Sequence, residues 1–350
     1  MRSEMGELLE EAAQGAPPLR HDAESVLQVG RRRQRRRHAG WAIAAVVAVT
    51  AAIGVPQIAR RGPSHPVTPP PTPVVITTPV KGALLPFVTR FQGYETVGFR
   101  VTDPEMVSTS WNLASVSLAA SSRKNDWMKL LVYEPGTDPV ARYPGAKIIA
   151  VAPINGRRAF FLQPAGASDR DRSLFWEYAE GLFARLMRAQ PETSDLDMQK
   201  VADGFRLSPE KPVKVPLRVG HVPPDYRLVA VSGPLQNLTF EHVDRAAARM
   251  ATPDRDYDNR YTGTSHRSLS IRLMRVPTGA DPDPDRVTCK SDTCFRSVAG
   301  GRYRLLVGGG HGLEDDRRVL ESITMADLDD PAGWIPVNEA VPESVQLRVP

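Results

Sequence analysis

Hydrophobic positions along this chain fall into two unlike patterns. Residues 39–59 are Ala- and Val-rich and carry no charged side chain, so apolarity there is continuous rather than periodic. At a rise of about 1.5 Å per residue such a stretch spans roughly 31 Å, one hydrocarbon core. It predicts a transmembrane helix. From residue 84 onward the pattern becomes short and alternating. Trp111–Ala120, Trp127–Tyr133 and Ser268–Val276 place apolar residues at every second position, the period of a half-buried strand. Lys147–Val151 and Arg158–Gln163 flank Ile154-Asn155-Gly156, and Asn-Gly favours the two-residue type I′ hairpin turn.

The alternating region also rhymes with itself. Leu174-Phe-Trp-Glu-Tyr-Ala-Glu-Gly-Leu-Phe-Ala-Arg-Leu-Met187 aligns with Cys294-Phe-Arg-Ser-Val-Ala-Gly-Gly-Arg-Tyr-Arg-Leu-Leu-Val307 at a constant offset of 120, matching Phe175 to Phe295, Gly181 to Gly301 and Phe183 to Tyr303. Each block reads as strand, glycine turn, strand. A helical pattern follows each: Ser194–Phe205, capped by Ser194, and Leu313–Met325, opened by Glu314 and Asp315. Pro86-Phe87 with Tyr94 likewise answers Pro216-Leu217 with Tyr226. The expected fold is therefore α+β: two tandem repeats, 84–212 and 213–342, each a mostly antiparallel sheet plus one helix, preceded by the single transmembrane helix. Residues 343–350 form a C-terminal tail.

Charge orients this arrangement. Six arginines lie between Arg31 and Arg37, directly before the apolar stretch, and only Arg60 and Arg61 follow it. Cytoplasmic flanks carry the excess of Lys and Arg, so the N-terminus is expected inside and the repeats outside the cell membrane. A cleaved signal would place a short basic region first and a small-residue cleavage site after the apolar run. Here 38 residues precede it, and the exit Gly54-Val-Pro-Gln-Ile-Ala-Arg-Arg61 has no A-x-A pattern. The tail 1–38 carries two short helical patterns, Glu4–Gln14 and Asp22–Val29, and serves either as a topology signal or as a docking peptide, residues 1–30, for a cytoplasmic protein. Seven prolines between Pro63 and Pro79 make 60–83 an extended stalk, of roughly 50 Å over its Pro-rich part at ~3.1 Å per residue. Of the formal net charge of +5, residues 1–61 hold +4. The basic balance is thus a topology signal and excludes a nucleic-acid footprint.

Candidate chemistry is sparse. Cys289 and Cys294, spaced C-x4-C on the outer side, are expected as a disulfide across the end of a hairpin, since two thiols alone do not make a metal site. Asp254, Asp256 and Asp258 begin like a calcium loop, but Asn259 and Ser265 stand where the turn glycine and the bidentate glutamate belong. Asp281-Pro-Asp-Pro-Asp285 reads as a solvated turn. Ser121-Ser-Arg-Lys124 matches S-x-x-K without its companion motifs. Gly308-Gly-Gly-His-Gly312 precedes acidic Glu314, Asp315 and Asp316, which repel phosphate, so it reads as a connector rather than an anion cradle. Trp111, Trp127, Trp176 and Trp334 are expected in the core or between repeats. No catalytic, cofactor-binding or metal-binding residue is assigned.

The run Ile154-Asn-Gly-Arg-Arg-Ala-Phe-Phe-Leu162, then Leu174–Tyr178, then Ser194-Asp-Leu-Asp-Met-Gln-Lys-Val-Ala-Asp-Gly204 resembles extracytoplasmic domains of sporulation-associated and anti-sigma-like bacterial membrane proteins. The order of tail, Ala-rich anchor and Pro-rich stalk is similar to single-pass membrane proteins of actinobacteria. The resemblance implies an outside α+β sensor domain and no catalytic residues. The expected function is a membrane-anchored binding or sensor protein without catalytic activity, contacting the bilayer through 39–59 and an extracytoplasmic ligand or protein through the repeats. The alternatives are an enzyme of the cell envelope, drawing on His221, His242, His266 or His311 with an aspartate, and a structural envelope protein.

Overall fold

A computed structural model describes residues 80–120, 126–135, 143–233, 237–251, 268–276, 286–309 and 312–349. The predicted tail, transmembrane segment 39–59 and most of the stalk lie outside these residues. Among the described residues no helix is long and apolar enough to cross a membrane.

The expected α+β pair of repeats is replaced by one continuous antiparallel sheet. Its strands in chain order are β1 Tyr94–Thr96, β2 Phe99–Val101, β3 Met106–Ser108, β4 Trp111–Leu118, β5 Met128–Tyr133, β6 Lys147–Ala150, β7 Ala159–Gln163, β8 Ser173–Ala179 and β9 Leu182–Arg188. The second half adds β10 Tyr226–Ser232, β11 Asn237–His242, β12 Ser268–Arg275, β13 Thr288–Lys290, β14 Thr293–Val298 and β15 Tyr303–Gly308. The spatial order is β13-β14-β15-β12-β11-β10-β3-β4-β5-β9-β8-β7-β6, with β1 and β2 attached beside β4. The two halves merge because β3 pairs with β10, Val107 opposite Val231 and Met106 opposite Ser232. An unpaired strand edge leaves backbone donors and acceptors unsatisfied, so two edges in reach of each other join. That pairing spans more than a hundred residues of sequence and leaves no mark in local periodicity.

Local chemistry explains the individual elements. Helix α1, Asp195–Asp203, begins at Ser194, whose Oγ accepts the Asp197 N–H at 3.2 Å while the Asp197 carboxylate reaches back to Ser194. Asn155 and Gly156 hold φ of 51° and 75°, as a type I′ turn requires. Helix α2, Val243–Ala251, was not anticipated. Helix α3, Leu313–Glu321, is shorter than expected. Its predicted last residues, Ile323–Met325, form a short strand on Leu217–Val219 instead. The helices are short beside the sheet, which is the second reason the α+β assignment fails.

The first half is apolar on both faces of its sheet. One face gathers Ala114, Val116, Leu130, Val132, Phe161, Trp176, Ala184 and Leu186 beneath Met198, Val201 and Ala202 of α1. The other gathers Trp111, Leu113, Leu131, Tyr133, Phe160 and Phe175. Runs such as Ala159-Phe-Phe-Leu162 satisfy both faces at once, as a strand covered on two sides demands. The second half keeps one main core, where Leu228, Phe240, Ile271, Leu305 and Val307 pack against Val319 and Leu320 of α3. Phe87, near the start of the described chain, enters this second core with Val337 and Val345 from near its end. The tryptophans divide: Trp111 and Trp176 are core, whereas Trp334 is only half-buried.

Gly308 and Gly309 serve packing rather than slack. A Cβ on Gly309 would lie 1.7 Å from the Ser268 carbonyl oxygen, and one on Gly308 2.8 Å from Thr293 Oγ1. The connector reading of that run is corrected for these two positions.

Candidate functional site

Where β3 meets β10 the sheet leaves a cleft of about 480 Å³ on one side of the joint. The first half contributes Thr89, Phe91 and Gln92 and the Asp103–Glu105 bend between β2 and β3. The connector contributes Lys211–Lys214, and the second half contributes Val231, Pro331 and Trp334. The connector is fixed on both sides by two-residue ladders: Lys211–Pro212 pairs with Val88–Thr89, and Lys214–Val215 with Ile335–Pro336.

A buried ionic cluster stands behind this wall. Arg90 is 2% exposed, and the residues on either side of it line the cleft. Its Nε donates to Glu134 Oε2 at 2.8 Å and its Nη2 to the same oxygen at 2.7 Å. Nη1 donates to Glu210, the residue before the connector wall. Asn112 Nδ2 donates to Glu134 Oε1 at 3.0 Å, and Asn112 Oδ1 accepts the Arg90 N–H at 3.3 Å. Burial pushes the Glu134 carboxyl above its ordinary range, and Arg90 pulls it back. Burial works against the Arg90 charge too, but Glu134 and Glu210 outweigh it and hold the guanidinium charged. One cation thus ties the start of the described chain, the end of β5 and the inter-half connector together.

The cleft's polar groups divide by sign. Glu105 is occupied from within: Oε2 accepts from Ser115 Oγ at 2.6 Å and Oε1 from Thr102 Oγ1 at 3.1 Å. Asp103 Oδ1 accepts the Gly93 N–H at 2.7 Å. Lys214 Nζ donates to the Ala332 carbonyl at 3.2 Å, while the exposed Lys211 ammonium has no partner among the described residues. Trp334 Nε1 donates to the Asp327 carbonyl at 3.0 Å, which leaves its ring as a wall. The acids are therefore spent on the fold, and a lysine and an aromatic surface face outward.

The residues singled out from sequence fall elsewhere. Cys289 and Cys294 form a disulfide and stand directly opposite each other on β13 and β14, Cα atoms 4.0 Å apart. His242 Nδ1 lies 3.3 Å from Asp244 Oδ2, and its ring meets Tyr226 edge-on at 5.9 Å. His221 is held through its backbone N–H by Ser322 Oγ at 2.9 Å. Neither histidine lines the cleft. His266, His311, the Asp254–Asp258 and Asp281–Asp285 runs and Ser121–Lys124 lie outside the described residues. Among the described residues no group of three His, Cys, Asp or Glu side chains could hold a metal ion. Arg90, Glu134, Glu210 and Lys211 were missed. Arg90 and Glu134 are isolated charges far from the adjacent pair Glu210-Lys211, and no spacing signal links the three places.

No family model and no curated protein matches the chain. Among solved structures it is similar to the Pseudomonas aeruginosa MucA/MucB complex at a TM-score of 0.19 and 14% identity, covering 69% of this chain and 93% of that chain. MucB in complex with MucA(peri) gives the same TM-score, identity and coverage. Overlap at that score carries no argument about fold or function.

Proposed function

We propose that this chain is a non-catalytic binding or sensor protein, held at the cell membrane with its described unit outside, that captures a ligand or protein segment in the cleft between its two halves. The observation that carries the reading is the cleft itself: an aromatic wall and an unengaged lysine lie over a joint whose parts Arg90 ties together through Glu134 and Glu210. Sites of this size at the junction of two substructures are common places for ligands. The membrane location rests on the apolar run 39–59 and its arginine flank, and the outside location agrees with the Cys289–Cys294 bridge, since disulfides persist outside the cytosol. A cytoplasmic protein docked on residues 1–30 would make the capture a signal.

The test is photocrosslinking of the full chain in native membranes, with the crosslinker placed in turn at Lys211, Trp334 and the exposed turn residue Glu180. Capture predicts a shared adduct from Lys211 and Trp334 that Glu180 does not yield. No adduct from either cleft position, or the same adduct from all three, refutes it. A parallel purification with and without residues 1–30 then reads whether a cytoplasmic protein is lost on truncation.

A further inference from the structure

The large sheet ends in two strand edges, and the sequence treats them differently. At one end stands β13, three residues long, bonded to β14 by the Cys289–Cys294 bridge and carrying the exposed Lys290. Short length and an edge lysine are among the devices that keep an unpaired strand from joining another chain. At the other end stands β6, Lys147-Ile-Ile-Ala150, which among the described residues pairs on one side alone, with β7.

The backbone of β6 can be followed group by group. Lys147 lies opposite Gln163 and Ile149 opposite Phe161, and in the same register the Val151 N–H donates to the Ala159 carbonyl at 3.3 Å. In an antiparallel ladder alternate residues bond toward the same neighbour, so Lys147, Ile149 and Val151 turn their backbone groups inward to β7. Ile148 and Ala150 turn theirs outward, and nothing among the described residues meets them. The edge is apolar as well, with the Ile148 side chain 47% exposed. Pro144 and Pro153 bound the open stretch, five residues before Ile149 and four after it. Proline lacks the N–H that a ladder needs, so further pairing is confined to a window centred near Ile149.

We propose that β6 is a dimerisation edge, pairing antiparallel with β6 of a second copy of this chain about a two-fold axis at Ile149. That register sets Ile148 against Ala150 of the second copy and Ala150 against its Ile148, so the outward donors and acceptors of both strands bond reciprocally. On one face Ile149 meets its own mate and Lys147 meets Val151. On the other, Ala146 meets Ala152 beside the Ile148–Ala150 pairs, and these small side chains let the strands approach. No charge stands opposite a like charge, which would oppose the pairing. A two-fold interface requires this self-complementarity, and β6 supplies it from its own sequence. One strand pair buries little beside the roughly 1,200–2,000 Å² of a stable interface, so the association is weak and depends on concentration. It is separate from the cleft between the halves and holds whether or not that cleft takes a ligand.

Cysteine crosslinking of the full chain in intact cells reads the register. Opposed residues of a non-hydrogen-bonded pair have Cα atoms about 4.5 Å apart, within disulfide reach. On oxidation Ile149→Cys should give a disulfide-linked dimer. Ala150→Cys should give severalfold less, because its mate is displaced by two positions, and the exposed turn variant Glu180→Cys should give none. In the Ile149→Cys chain, Val151→Glu sets a carboxylate against Lys147 of the second copy at two symmetric places, and Val151→Lys sets an ammonium there. The glutamate variant should crosslink about fivefold or more above the lysine variant. Both place one charge at the same half-buried position, so the comparison reads the pairing rather than folding. No dimer from Ile149→Cys, a yield from Ala150→Cys or Glu180→Cys that matches it, or equal yields from the two Val151 variants overturns the proposal. Linkage of Ile149→Cys to a different protein overturns the second copy as the partner.

Discussion

Replacing Asp316 by Asn should stabilise the protein above neutral pH and not below pH 4. Asp316 lies on the inward face of α3 with Val319 and Leu320, is 1% exposed, and has its Oδ1 buried without a partner. Burial pushes its pKa from 3.8 up to about 6, and the neighbouring charges of Asp315 and Asp292 add to the rise. The folded state therefore holds this proton more tightly than the unfolded chain does. Its contribution to stability is fully present below the unfolded value and is lost as pH climbs through the folded one. From 3.8 to about 6, at roughly 1.4 kcal/mol per pH unit, the loss amounts to about 2–3 kcal/mol. The amide of Asn stays neutral at every pH but brings two donors that need acceptors, a penalty of about 1–2 kcal/mol that does not depend on pH. The informative quantity is thus the change in the mutant-minus-parent difference between pH 4 and pH 8, from which that constant penalty cancels. Urea unfolding of both full chains across this range measures it. In melting experiments each kcal/mol corresponds to roughly 2–4 °C for a unit of this size. A difference that stays flat with pH, or a variant that fares worse at pH 8 than at pH 4, refutes the reasoning.

Two further variants probe the joint and the hairpin. Arg90→Leu strands the largely buried Glu134 beside an apolar side chain, while the exposed Glu210 stays solvated, and breaking a buried pair from one side should cost about 3–5 kcal/mol, with Glu134→Gln in the same chain recovering part; thermal melts of the single and double variants check this, and a loss under about 1 kcal/mol contradicts the role given to Arg90. Cys289→Ser with Cys294→Ser should cost about 2 kcal/mol, because a loop this short restricts the unfolded chain little. Melting the parent with and without reductant should give the same difference, and no change in either comparison refutes it.

Several local features were legible because nearest neighbours set them. Ser194 and Asp197 close a capping box whatever surrounds them, Asn155-Gly156 turns the chain by its own φ preference, and two cysteines five positions apart meet across a hairpin end. Asp316 also carried a readable signal, since it shares the i, i+3, i+4 spacing of a helix face with Val319 and Leu320. What the charge run Glu314-Asp315-Asp316 does not state is which way that face points.

The sequence alone determined the hairpins, the α1 cap, the disulfide and the apolar run at 39–59, all consequences of local sterics, short-range bonding or solvation summed over a few residues. Tertiary structure alone decided that two apparent repeats are one sheet, because Val107 and Val231 pair across more than a hundred residues of intervening strands and helix, a closure no local period records. It also decided that Arg90 at one end, Glu134 in the middle and Glu210 in the connector converge behind a cleft. Charge attraction in a dry interior depends on distance in space, and distance in space is fixed only when the whole sheet closes.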